Sequence, residues 1–192
     1  MKIVCLLGSP RSNGNSTAIA THLCKFAEKN GSVVQTFALN KLTYRGCQAC
    51  MTCKTKLDRC VLNDDLTQVL DAIRDTDVLV MATPVYYGDV SSQMKGFIDR
   101  TYSYLTPDYI SSSNPSRLPP GKRMVFIQTQ GQPDEKLFAD VFQRYDLFFK
   151  WYGFSENYLI RGCGLREAGE VNRQIELLTE SENIADKLAM KY

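Results

Sequence analysis

The sequence has a single histidine, His22, among 192 residues, so a metal site built from several histidines is excluded. It also lacks an excess of one charge, because 23 lysines and arginines against 21 aspartates and glutamates leave a net charge of +2. A general nucleic-acid binder would carry a basic surface, and no apolar run is long enough to cross a bilayer. We therefore expect a cytoplasmic protein that binds neither nucleic acid nor a membrane.

Two nucleotide-binding signatures are also missing. The segment from Gly8 to Thr17, which follows the first apolar run, contains neither G-x-G-x-x-G nor Gly-Lys-Ser/Thr. These absences argue against a conventional dinucleotide site in the first turn and against ordinary nucleoside triphosphate chemistry.

The sequence does contain a regular alternation of strands and helices. Helical patterns separate five short apolar or β-branched runs, and we predict strands over residues 2–7, 32–39, 77–82, 122–128 and 154–160. The helix before the last strand has a predicted apolar face of Leu137, Val141, Tyr145 and Phe148. A closing helix covers residues 170–192. The connections are long enough for right-handed crossovers, so we predict one α/β domain over 1–192, with a doubly wound five-stranded parallel sheet in a three-layer sandwich.

Three loops are predicted at the edge of the sheet where such folds bind ligands, over residues 8–16, 83–90 and 129–133. In the first loop, free backbone N–H groups and the helix dipole favour a phosphate. The other two loops carry Tyr86, Tyr87 and the stretch Thr129-Gln130-Gly131, which suit a flat ring with polar edges. A phosphate joined to a large flat ring describes a mononucleotide, and FMN fits.

The stretches from Gly8 to Thr17 and from Pro84 to Arg100 resemble two motifs of the flavodoxin-like NAD(P)H-dependent FMN reductase superfamily. The resemblance implies a flavodoxin-like fold, noncovalent FMN, NADH or NADPH as reductant, and a homodimer or homotetramer. It implies that the phosphate is held by Ser9, Arg11, Asn15, Ser16 and Thr17. It implies that the ring is lined by Pro84, Val85, Tyr86, Tyr87, Gly88, Thr129 and Gly131. Because hydride chemistry belongs to the flavin, we assign no catalytic side chain.

Four of the seven cysteines are crowded together, as Cys47, Cys50, Cys53 and Cys60. This compact spacing suits a [4Fe–4S] cluster held by one loop, whereas zinc knuckles usually present two separated pairs. The motif resembles that of the iron–sulfur flavoproteins, a branch of the same superfamily, and this implies that the four cysteines in the loop 44–63 are cluster ligands. Free thiols, a disulfide and zinc are the alternatives.

Two other functions are alternatives. A flavodoxin-type carrier would shuttle electrons without a nicotinamide reaction, but flavodoxins are usually strongly acidic and this chain is not. Cys5 and Arg11 have the Cys-x5-Arg spacing of low-molecular-weight phosphatases, although Leu6 and Leu7 continue the strand past the thiol.

The prediction is an FMN-dependent NAD(P)H oxidoreductase or electron-transfer flavoprotein with a small-molecule or protein acceptor. A proline-rich segment, 106–121, is predicted as a flap at the flavin or at a dimer interface.

Overall fold

A parallel sheet forms the centre of the molecule in the computed structural model, which describes residues 1–190. Its strands are β1 (Lys2–Leu7), β2 (Val33–Ala38), β3 (Val78–Tyr86), β4 (Asp89–Val90), β5 (Lys122–Thr129) and β6 (Phe154–Gly162). Five of them are parallel in the order β2-β1-β3-β5-β6, and the two-residue β4 pairs antiparallel with the end of β3. The predicted five-stranded α/β sheet is confirmed, with β4 as an addition.

Helices cover both faces of the sheet. They are α1 (Asn15–Lys29), α2 (Thr52–Thr55), α3 (Leu66–Arg74), α4 (Ser92–Arg100), α5 (Val141–Trp151) and α6 (Ile175–Ala189). Alternate residues of a strand point to opposite faces. Ile3 and Cys5 therefore pack with α1 and α6, whereas Val4 and Leu6 pack with α3, α4 and α5. Within residues 1–190, no helix is both long and apolar enough to cross a membrane.

The helix before β6 is shorter than predicted. Phe138 has a φ of 63°, which a right-handed helix does not allow, so α5 begins only at Val141. Val141 and Tyr145 are buried as predicted, but the assignment of Leu137 and Phe148 to the apolar face is wrong, because both are exposed. The closing helix likewise begins later, at Ile175, and its last two predicted residues, 191 and 192, lie outside the described part of the chain.

Strand β3 is longer than predicted, and this changes the second loop. Pairing with β5 continues through Pro84, which lies opposite Thr129 at the end of the register. Val85 and Tyr86 then pair with β4. Tyr87 and Gly88 form the turn, with φ values of 52° and 78° that suit a tight two-residue hairpin. Pro84, Val85 and Tyr86 therefore belong to a strand rather than to a loop.

Candidate functional site

The turn between β1 and α1 is tightly wound around a glycine. The Gly14 N–H donates to the Arg11 carbonyl at 3.1 Å, and the Arg11 N–H donates to Ser9 Oγ at 3.1 Å. A Cβ at position 14 would lie 2.7 Å from Ser9 Oγ, which is closer than a Cβ normally approaches another heavy atom. A larger residue would force the Ser9 side chain to shift, and the close approach brings Ser9 to the start of α1.

The first turn of α1 offers unpaired donors. The Ala18 N–H donates to the Gly14 carbonyl at 2.9 Å, so the N–H groups of Asn15, Ser16 and Thr17 precede the helical hydrogen bonds. Ser16 Oγ is buried and has no hydrogen-bond partner. A buried hydroxyl without a partner is costly, and beside free N–H groups it is suited to bind an anion.

A cleft of about 310 Å³ brings the three predicted loops together. Predicted site residues along its walls are Ser9, Arg11, Asn15, Ser16, Pro84, Val85, Tyr86, Thr129 and Gly131. A second hollow of about 490 Å³ adjoins it and contains Tyr87 and Gly88. Thr17 is not in the cleft, because it lies instead along a separate groove with His22. His22 is half-buried and bonds to Glu182 at 2.7 Å.

One wall of the cleft was not predicted. It consists of residues 165–167, in the segment that follows β6. Arg166 Nε donates to the Gly131 carbonyl at 3.1 Å, and Arg11 Nη1 donates to the Arg166 carbonyl at 3.0 Å. The Asn15 amide is bonded to the same segment, donating to Glu167 O at 2.8 Å and accepting from the Val171 N–H at 3.1 Å. The sequence contained one sign of this wall: the segment follows a parallel strand, so it starts at the same edge of the sheet as the three loops.

We call the hairpin of residues 85–90, which carries Tyr86 and Tyr87, the aromatic hairpin. Helix α5 holds it in place. Asp89 Oδ1 accepts a hydrogen bond from the Tyr145 hydroxyl at 2.5 Å, and Arg144 lies 3.4 Å from Asp89 Oδ2. Burial raises the pKa of Tyr145, and the hydrogen bond to Asp89 raises it further, so the hydroxyl stays a donor. Tyr87 at the tip is wholly exposed. The hairpin therefore presents an aromatic ring to solvent beside the cleft.

The four clustered cysteines line one small cavity, together with Arg100 and Tyr102. All are free thiols, and within residues 1–190 no three potential ligands converge on the position of a single metal ion. The thiolates around a cubane cluster bind different irons, so they do not have to meet at one point. The enclosed space is only about 20 Å³, so the exposed segment 47–51 has to move outward to admit a cluster.

Three cationic side chains surround the cysteine loop. Lys54 Nζ donates to the carbonyls of Tyr102 and Leu105 at 2.6 and 2.7 Å, and burial lowers the pKa of this lysine. Arg117, in the segment 106–121, donates to the Cys53 carbonyl at 2.9 Å. Arg100 forms an ion pair with Asp64 at 2.8 Å. The segment 106–121 thus contacts the cysteine loop through Arg117.

Cys5 does not have the surroundings of a nucleophile. It lies inside β1 and is 1% exposed. A hydrogen bond with Cys24 and burial raise the pKa of its thiol well above the ordinary value. A phosphatase needs a thiolate at the mouth of its phosphate loop, so the geometry around Cys5 opposes that alternative.

Comparison with known proteins gives relatives by sequence. A family model described as NADPH-dependent FMN reductase matches residues 1–140. Iron-sulfur flavoproteins from Archaeoglobus fulgidus and Methanosarcina thermophila are 36% and 32% identical over 104 and 101 residues. These matches cover 54% and 53% of this chain and 47% and 52% of the relatives. The chain therefore spans about half the length of the curated relatives it matches.

Solved structures share the fold at low identity. An NAD(P)H:quinone oxidoreductase from Methanothermobacter marburgensis has a TM-score of 0.76 at 16% identity, covering 98% of this chain and 97% of that one. An FMN-dependent NADH-azoreductase from Bacillus anthracis, solved in complex with FMN, has a TM-score of 0.73 at 15% identity, covering 98% and 99%. The family model extends over both predicted flavin motifs and the cysteine loop. The chain belongs to the NADPH-dependent FMN reductase family.

Proposed function

We propose that this chain is an FMN-dependent NAD(P)H oxidoreductase that holds FMN noncovalently in the cleft between the three loops. One observation carries the proposal. The buried, unpaired hydroxyl of Ser16 lies in the open first turn of α1, and Ser16 lines the same cleft as Pro84, Val85 and Tyr86 of β3. An anion site and a flat aromatic-lined slot in one cleft match the two ends of FMN.

The residues divide into a phosphate end and a ring end. Ser9 and Ser16 donate through their hydroxyls, and Arg11 adds positive charge. Asn15 and Thr17 contribute backbone N–H groups, because the Asn15 amide is bonded to residues 167 and 171 and Thr17 faces another groove. The ring lies among Pro84, Val85, Tyr86, Thr129 and Gly131, with Tyr87 and Gly88 at the rim.

When bound, FMN supplies the hydride chemistry with NADH or NADPH. In this proposal the protein binds the phosphate and orients the ring. No side chain is assigned a proton transfer, in keeping with the sequence prediction. The electron acceptor is a small molecule or a protein, and assembly as a homodimer or homotetramer stays a prediction.

We infer further that Cys47, Cys50, Cys53 and Cys60 hold a [4Fe–4S] cluster. Their shared cavity supports this, and so do the nearby cations Lys54, Arg100 and Arg117, which offset the negative charge that four thiolates bring. The names of the relatives, iron-sulfur flavoproteins, agree with it. Segment 47–51 is exposed, so it is the part of the loop that would move outward to admit the cluster.

The phosphate assignment is tested by removing its side-chain donors. The double variant Arg11→Ala/Ser16→Ala is expected to purify without FMN, because a charge and a buried hydroxyl are lost together. Flavin content is measured by absorbance after release from the protein. The control is Thr21→Ala, an exposed position on the same helix, which should keep its flavin. A double variant that retains stoichiometric FMN refutes the placement of the phosphate.

A further inference from the structure

Arg100 lies at the last position of α4 and is 1% exposed. Its guanidinium joins the two ends of the cysteine loop. Nη1 donates to the Arg45 carbonyl at 2.8 Å, before the first cysteine, and Nη2 donates to the Leu62 carbonyl at 3.1 Å, after the last. Both nitrogens also bond to the Asp64 carboxylate, at 2.8 and 3.3 Å.

One donor of this guanidinium is unused. Arg100 Nε is buried and has no hydrogen-bond partner, although buried donors are almost always paired. The same side chain forms part of the wall of the cavity that the four cysteines line, and the Cys60 thiol lies against it. A guanidinium anchored by four hydrogen bonds cannot turn away to find another acceptor. Its free N–H therefore remains available to an acceptor in the cysteine cavity that Arg100 lines.

We propose that Arg100 is a positioning residue for the iron–sulfur cluster, with its Nε–H donating to the Cys60 sulfur and its charge favouring the reduced state. The proposal rests on the cluster inferred above. Hydrogen bonds to the sulfurs and the local net charge set the reduction potential of such clusters. A positive charge beside the cluster offsets the electron that reduction adds, so the potential is higher with Arg100 than without it.

Asp64 gives the proposal a test with an opposite sign. Burial works against the charged carboxylate, but hydrogen bonds from Arg100 and from two backbone N–H groups outweigh it and lower the Asp64 pKa. Asp64 is therefore ionised and cancels part of the Arg100 charge. Arg100→Gln removes the positive charge, whereas Asp64→Asn removes the negative charge and keeps a side-chain oxygen for the Leu66 N–H, which is 3.1 Å from Asp64 Oδ1.

The experiment is an anaerobic redox titration of the iron–sulfur signal by electron paramagnetic resonance on reconstituted protein. Arg100→Gln is expected to lower the midpoint potential, and Asp64→Asn to raise it. The control is Lys29→Gln, since Lys29 is an exposed cation at the end of α1 and is screened by water, and it should leave the potential unchanged. A purely structural role would reduce the amount of cluster and leave the potential of the remainder in place.

Each outcome decides a different claim. Wild-type protein that holds no iron or sulfide after anaerobic reconstitution refutes the cluster and this inference with it. A cluster whose potential is the same in wild type and Arg100→Gln, or shifts in one direction in both variants, overturns the role of Arg100 alone. If Arg100→Gln fails to fold, Asp64→Asn decides, and an unchanged potential in that variant contradicts the proposal.

Discussion

Ser16 lies in the first turn of α1 with a hydroxyl that is buried and unpaired in the absence of a ligand. Ser16→Ala is therefore expected to weaken FMN binding without destabilising the flavin-free protein. A hydrogen bond to a charged group is worth about 1.5–3 kcal/mol, so the Kd for FMN should rise roughly tenfold to a hundredfold. Fluorescence titration measures the affinity and urea unfolding the stability. Equal affinity in Ser16→Ala and wild type would remove this hydroxyl from the site.

Gly14 is tested by adding one methyl group. Gly14→Ala places a Cβ 2.7 Å from Ser9 Oγ, so the Ser9 side chain has to shift and the phosphate end of the cleft is disturbed. Overpacking of this kind costs about 1–3 kcal/mol. Gly46→Ala is the matched control, because the nearest atom to its added Cβ is 3.9 Å away. Thermal unfolding and FMN titration should both show a loss in the first variant and little change in the second.

At the scale of elements, the Tyr87–Gly88 hairpin depends on α5. Tyr145→Phe removes the hydroxyl that donates to Asp89 at 2.5 Å, and we expect a loss of about 1–2 kcal/mol. Amide hydrogen exchange over residues 86–90 should become faster, because the hairpin loses a tie to the core. The control is Tyr158→Phe, which breaks another tyrosine–carboxylate bond, to Glu156 on β6. If exchange at the hairpin is unaffected by Tyr145→Phe, the Tyr145–Asp89 hydrogen bond is not what holds it.

The sequence predicted the elements better than their ends. Hydrophobic patterning found the five parallel strands, since buried runs in such sheets are continuous. It ended β3 at residue 82 because Pro84 and the aromatic pair resemble a loop, but pairing with β5 and β4 extends the strand. Periodicity also placed Leu137 in the helix before β6, because the left-handed backbone at Phe138 leaves no trace in the pattern.

The cleft was predictable where topology alone decides its position. Loops after parallel strands meet at one edge, so Ser16, Pro84 and Gly131 were expected to lie together, and they do. The wall around Arg166 was missed because contacts distant in sequence place it. The use of Asn15 to hold that wall was missed for the same reason.

At the scale of the whole molecule, buried tyrosines predict a loss of stability in alkali. Burial raises the pKa of Tyr152 from 10.0 to about 12. In the unfolded chain Tyr152 ionises at its ordinary pKa of 10.0. Its contribution to the free energy of unfolding is therefore fully present below pH 10 and is lost as the pH rises to about 12. Two pKa units correspond to about 2–3 kcal/mol.

Tyr152→Phe tests this sign. Urea unfolding across the same alkaline range should show a shallower fall in stability for the variant than for wild type, because one titrating group is gone. Part of the fall in stability remains in the variant, because burial also raises the pKa of Tyr44 to about 12. Tyr87→Phe is the control, since Tyr87 is wholly exposed. Identical slopes for Tyr152→Phe and wild type would contradict the assigned pKa.

The central claim is that this chain binds FMN and lets NAD(P)H reduce it. The most direct measurement is an anaerobic titration of FMN-loaded protein with NADH and, separately, NADPH, followed by the visible absorbance of the flavin. The account predicts one FMN per chain and complete bleaching by a stoichiometric amount of at least one of the two nucleotides. A protein that takes up no FMN, or whose bound flavin keeps its absorbance with both nucleotides, would contradict it.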